Sequence, residues 1–137
     1  MKNKILAVAL LFISTFSVVA QTAKEKDQAV ITFKKTTIDL GTFSEKKPKV
    51  SCVFHFTNTG THALIIHQAI ASCGCTVPTY TKEPILPGKT GEIKIKYNGK
   101  GKIPGRFKKS ITVYTNAKPS LQRLYITGTM LGIDDPK

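Results

Sequence analysis

Lys49-Val50-Ser51-Cys52-Val53-Phe54-His55-Phe56-Thr57 (KVSCVFHFT) alternates apolar and polar side chains residue by residue. Val50, Cys52, Phe54 and Phe56 share one parity; Ser51, His55 and Thr57 share the other, with Val53 the exception. A period of two is the signature of a half-buried strand. Asn58-Thr59-Gly60-Thr61 then reads as a turn. Beyond it, the run Ala63 to Ala71 sets Leu64, Ile66 and Ile70 on one side.

The pattern repeats in both directions. Upstream, Val30-Ile31-Thr32-Phe33 and Thr36-Thr37-Ile38-Asp39-Leu40 are rich in β-branched residues. Downstream, Pro87-Gly88 marks a turn, and Gly91 to Tyr97 (GEIKIKY) alternates Ile93, Ile95 and Tyr97 with Glu92, Lys94 and Lys96. Asn98-Gly99 follows as a hairpin-type dipeptide. Phe107 to Thr115 sets Phe107, Ile111 and Val113 on one face, and Ser120 to Met130 closes the series with Leu124 and Ile126 inward. About seven strands at ~8–12-residue spacing, with no sustained helical period, predict an all-β antiparallel sandwich of Ig-like type. A small β-barrel is the alternative. Val50, Cys52, Phe54, Phe56, Ile93, Ile95, Phe107, Ile111, Val113, Leu124 and Ile126 are expected to be largely buried.

The ends carry other signals. Met1 to Ala20 has a basic start (Lys2, Lys4), an apolar run from Leu6 to Ile13, and Val18 and Ala20 at the −3 and −1 positions of a signal-peptidase site. This predicts a cleaved secretory signal peptide over residues 1–20 and an exported, periplasmic or secreted protein. The run falls short of the ~20 residues of a spanning helix, so no transmembrane anchor is expected. Gln21, not a cysteine, directly follows Ala20, which argues against a lipoprotein anchor. Residues 21–28 read as a flexible leader, 29–131 as the sandwich domain and 132–137 as a tail.

The net charge is +13, and it stays strongly basic without Lys2 and Lys4. An export signal argues against nucleic acid as the reason. The lysines are dispersed, as on a solvated surface, with weak attraction to anionic partners outside the cytoplasm as the functional reading.

Chemistry concentrates in Ser72-Cys73-Gly74-Cys75-Thr76-Val77-Pro78 (SCGCTVP). A local Cys73–Cys75 disulfide closes too small a loop to stabilise the fold much. In an extended chain the two Cα atoms lie ~6.6 Å apart, near the upper edge of disulfide geometry. The chain must therefore kink, and Gly74 is expected to permit it. Cys52 shares its face with Val50, Phe54 and Phe56, which predicts a buried free thiol. The expected state is a Cys73–Cys75 bond with Cys52 reduced. A packed loop of inert cysteines is the plain alternative. A thiolate site for Cu(I) or zinc, with His67 as the histidine nearest in sequence, is another.

Asp39-Leu40-Gly41-Thr42, Phe56-Thr57-Asn58-Thr59-Gly60, SCGCTVP with its Thr76, Ile85-Leu86-Pro87-Gly88, Gly91-Glu92-Ile93, Gly105-Arg106-Phe107 and Ile126-Thr127-Gly128 occur in that order. This series resembles the bacterial family called domain of unknown function 1573, over about Thr36 to Met130. The resemblance implies a seven-stranded Ig-like domain of the Hydin-like group in the cell envelope. It implies no reaction. Glu45-Lys46-Lys47 departs from it, lacking the glycine that many members have after the acidic residue, so the hairpin expected there should differ from theirs.

The catalytic inventory is thin. His55, His62 and His67 fit no HExxH spacing, no GxSxG occurs, and Asp39 reads as a backbone cap. A hydrolase or transferase is not expected. The leading functional reading is a non-catalytic module that binds a protein or glycan partner in the envelope; thiol redox or metal binding through Cys73 and Cys75 are the alternatives.

Overall fold

The computed structural model describes residues 27–134 and 136; the expected signal peptide lies outside them. Among the described residues there are eight strands: β1 Ile31–Phe33, β2 Thr37–Ser44, β3 Lys49–Asn58, β4 Ile66–Ala71, β5 Thr76–Tyr80, β6 Thr90–Asn98, β7 Gly105–Thr115 and β8 Leu121–Leu131. They form two four-stranded sheets, ordered β1-β3-β6-β5 and β2-β8-β7-β4, stacked as a sandwich. All pairs are antiparallel except β2 with β8, which run parallel. The strand that pattern reading passed over is β5. Its residues follow the two cysteines and contain Pro78, which a strand tolerates only at an edge, and β5 is an edge.

The core lies between the sheets. Phe54, Phe56, Ile93 and Ile95 meet Ile111, Val113, Leu124 and Ile126 across it, and each is fully buried. Removing a side chain of this size from water contributes about 1.5–3 kcal/mol. Val50, Cys52 and Phe107, also expected inside, are only partly buried at the margin of that core. Tyr97 stacks on Phe107 at 4.4 Å, and Phe43 meets both edge-on. This aromatic cluster closes one end of the sandwich.

Three expectations need correcting. Ile70 is 45% exposed, not inward. A register shift between Ile66 and Gln68 inverts the parity of β4, so Ala69 and Ala71 take the inner face instead. Asn98-Gly99 is not a hairpin, because β6 and β7 belong to different sheets. Nor is Glu45-Lys46-Lys47, which joins β2 to β3 across the sandwich.

Two buried residues organise the loops at one end. Asn58, fully buried, donates from Nδ2 to the carbonyls of His62 (2.7 Å) and Ile85 (2.8 Å) and accepts at Oδ1 from the Gly60 N–H (3.0 Å). Its backbone N–H donates to Lys89 and its carbonyl accepts from Gly88. The expected Pro87-Gly88 turn is thereby docked, with Gly88 at φ 78° and Lys89 N–H returned to Leu86. That φ is one L side chains avoid. Ala29, the second, is buried beside the hydrogen bonds that tie Asp27 and Gln28 to Thr61.

Candidate functional site

Between β4 and β5 the chain leaves one sheet for the other within Ser72–Cys75. Ser72 continues the β4 ladder, donating to the Ser110 carbonyl and accepting from the Ser110 N–H at Oγ. Thr76 N–H turns back to the Cys73 carbonyl (3.2 Å), and Cys75 C=O accepts from Asn98 N–H (2.8 Å). Cys73 and Cys75 form a close pair, Cα atoms 5.3 Å apart and sulfurs at bonding distance. Thr76 is buried, its Oγ1 3.5 Å from the Cys73 sulfur and 3.7 Å from the Cys75 sulfur.

The kink arises differently from the expectation. Gly74 does not have a positive φ, and a Cβ added there would meet nothing within 4 Å. The turn closed by Thr76 N–H shortens the Cα separation, so the bend needs no left-handed residue at position 74.

Cys52 stands apart from the pair, as a free, partly buried thiol on β3. Burial pushes its pKa up to about 11, so the thiolate is scarce at neutral pH. Burial likewise raises the Tyr97 hydroxyl.

His67 is exposed on β4, and its carbonyl accepts from the Tyr80 hydroxyl at 3.1 Å. The structure does not gather His67 with the cysteines: among the described residues, no three His, Cys, Asp or Glu side chains converge where a metal could sit. The other histidines pair loosely with carboxylates, His55 with Glu92 and His62 with Asp27, each at 3.6 Å on the surface. Asp39 caps as expected, accepting from Gly41 N–H at 2.9 Å.

Beside the corner lies a solvent-open groove of about 610 Å³, whose lining includes Lys49, Ser51, Cys75, Val77, Lys96 and Asn98. Ser51, Lys96 and Val77 stand in one cross-strand row on the outer face of β3, β6 and β5. Two ammonium groups give the groove a positive potential. On the opposite sheet, Gln68, Tyr114 and Leu121 form one outer row, and Ile70, Thr112 and Arg123 the next. Ile70, Tyr114 and Leu121 thus gather as an exposed apolar patch. Sequence parity missed it because the β4 bulge turns Ile70 outward.

None of the curated proteins matches the sequence. Among solved structures, a protein of unknown function from Porphyromonas gingivalis is similar, with a TM-score of 0.65 and 16% identity. The match covers 80% of this chain and 51% of that one, so the chain spans about half of that protein's length. The ASH / PapD-like domain 7 of human CEP192 matches with a TM-score of 0.63 and 10% identity, over 87% and 97% of the two chains. The periplasmic chaperone SfaE matches with a TM-score of 0.55 and 14% identity, over 78% and 60%. At such identities the likeness is one of fold. Residues 31–130 match the model of the family described as protein of unknown function (DUF1573), and the chain belongs to that family.

Proposed function

We propose that the protein is a non-catalytic interaction module of the bacterial envelope, exported by its N-terminal signal and binding a protein or glycan partner. The observation that carries this reading is the gathering of Ile70, Tyr114 and Leu121 on one outer sheet face. Apolar side chains clustered on a surface mark contact sites more often than scattered ones do. The fold supports it too, since sandwiches serve widely as scaffolds for recognition.

Capture from envelope extract tests the reading, comparing the wild type with a Cys73→Ser, Cys75→Ser double variant and with Tyr114→Ser. Specific capture by wild type and double variant, lost in Tyr114→Ser, is the expected result. Equal recovery on all three, or none on any, overturns it. Intact-mass analysis after export checks processing: the mature species should begin at Gln21.

A thiol redox role is the second reading. It is favoured by Cys75 bordering an open groove, where a partner thiolate can reach a Cys73–Cys75 disulfide. Its signature is reversible cycling at a potential near that of the compartment.

A further inference from the structure

A sandwich has four edge strands, and an unpaired edge invites pairing with another chain unless something blunts it. Three of the edges here are blunted. β1 has only three residues and runs into Lys34-Lys35. β2 is broken by a register shift between Asp39 and Thr42, with Gly41 at φ 73°. β5 is stopped by its own hydrogen bonds. Cys75 accepts from Asn98 and Thr81 donates to Glu92, so the odd-numbered residues of β5 pair with β6. Its lateral positions are then Thr76, Pro78 and Tyr80. Thr76 N–H is turned back on Cys73, and Pro78 has none to offer.

The fourth edge, β4, differs. Ser72 N–H donates to Ser110, so the alternation pairs Ile70 with Thr112 and Gln68 with Tyr114 through backbone bonds. The N–H and C=O of Ala69 and Ala71 point away from β7, along the open side. Their residues are part-exposed. The His67 carbonyl is capped by Tyr80, which ends the open stretch. Ile66–Ala71 contains no proline and no charged residue.

We propose that β4 is a strand-addition site: an extended, acidic segment of a partner protein pairs along Gln68–Ala71 and lengthens the β2-β8-β7-β4 sheet by one strand. This rests on the interaction-module reading and names the partner's chemistry. Backbone pairing demands an extended chain, and the side chains that flank the edge choose among such chains. Ile70, beside Tyr114 and Leu121, offers an apolar seat for the added strand's alternate residues. Charge selects the rest. The outer face of the sheet presents Arg106, Lys108 and Arg123 against one carboxylate, Asp39, on the far edge strand. Lys82 stands over the Tyr80 ring, 3.7 Å from its centre, next to the capped end of β4. A second copy of a chain of net charge +13 brings like charges to this face; an acidic segment brings opposite ones.

The test selects a twelve-residue peptide library on the purified protein, then measures amide hydrogen exchange with the tightest peptide bound. Expected are sequences rich in Asp, Glu and β-branched residues, with Ala69 and Ala71 amides protected about tenfold or more. Ile70→Glu, an exposed change that leaves the ladder intact, should weaken the peptide by about threefold or more; Ala69→Pro, which removes the lateral donor, should weaken it about tenfold. Ala69→Ser, which keeps that donor, should bind as wild type. The proposal is overturned if the selected peptides are basic, if protection falls elsewhere, if no peptide binds below about 1 mM, or if Ile70→Glu binds equally. Protection of these amides by self-association or by an acidic polysaccharide such as polygalacturonate, in place of the peptide, also overturns it. If envelope capture survives Ile70→Glu and Ala69→Pro, the module reading stands and this edge falls; if wild type captures nothing, the module reading itself falls.

Discussion

Replacing Asn58 with alanine should destabilise the protein by about 3 kcal/mol, counting roughly 1 kcal/mol for each of its three short side-chain hydrogen bonds. The figure rises to about 5 kcal/mol if the His62 and Ile85 carbonyls stay dry after losing their donor. A fourth contact, from Val30 N–H to Oδ1 at 3.4 Å, is too long to add much. Urea unfolding followed by near-UV and far-UV signals gives the measurement; with a slope of about 1.5 kcal/mol/M the midpoint falls by about 2 M. Asn58→Asp is the sharper variant. It keeps an acceptor for Gly60 N–H but sets a carboxylate oxygen against two carbonyl oxygens that now lie 2.7 and 2.8 Å from Nδ2. At pH 7 it should be less stable than alanine, despite its shape. Burial beside two acceptors raises the folded carboxyl pKa above its unfolded value of ~3.9. The folded state then binds the extra proton more tightly. Stability of this variant is therefore fullest below ~4 and is lost as pH rises through the raised folded value. Asn58→Asp matching or exceeding Asn58→Ala at pH 7 would refute the reasoning.

Gly91 lies opposite Phe56, and a Cβ there would sit 2.3 Å from a ring carbon; since Phe56 is fully buried, Gly91→Ala should cost about 1–3 kcal/mol, and a thermal melt unchanged from wild type would contradict this. Losing both Cys73 and Cys75 should change stability by no more than about 1.5 kcal/mol, because so short a loop restricts the unfolded chain little; urea midpoints of the double serine variant check it. Cys52 should resist alkylation in the folded protein near pH 7 and react fully on unfolding, as mass spectrometry will show. Its thiol is pushed up to about 11, above the ordinary 9.0. The folded state holds that proton more tightly, so stability should be whole below about 9 and fall as pH rises toward 11. A rise in stability across that window would be the wrong sign.

The sandwich was legible because alternation reports burial directly wherever a strand runs unbroken. Phe54, Phe56, Ile93, Ile95, Ile111, Val113, Leu124 and Ile126 are inside, as parity predicts. Parity fails where a bulge inserts a residue. β4 reverses at Ile66–Gln68, and a pattern of two cannot see a shift of one. β5 was hidden for another reason. Cys73, Cys75 and Pro78 read as loop chemistry, while the strand's existence depends on pairing with β6, far along the chain. Asn58 illustrates a third limit. Asn58-Thr59-Gly60 reads correctly as a turn, but nothing local shows that the asparagine is buried and holds the Ile85 carbonyl across the loops.

The close cysteine pair and the edge of β4 are connected by register. The chain has only Ser72–Cys75 in which to pass from one sheet to the other, across a sandwich about 10 Å thick. A path so short fixes where β5 begins. Its first residue, Thr76, is held by its N–H on Cys73 and by a buried hydroxyl beside both sulfurs. From that start Pro78 falls on a lateral position, where its missing N–H harms no ladder bond and deprives an incoming strand of a donor. A slip of one residue would turn Pro78 toward β6, break the ladder at its centre, and send the Thr76 side chain outward. The corner therefore both supports the β5–β6 pairing and removes two of the three lateral donors of the β5 edge. On this side of the sandwich β4 offers two lateral residues in succession, Ala69 and Ala71, with both donor and acceptor facing out, whereas β5 offers a lateral N–H only at Tyr80. A partner strand is directed to Ala69 and Ala71 by what the neighbouring edge withholds as much as by what β4 offers.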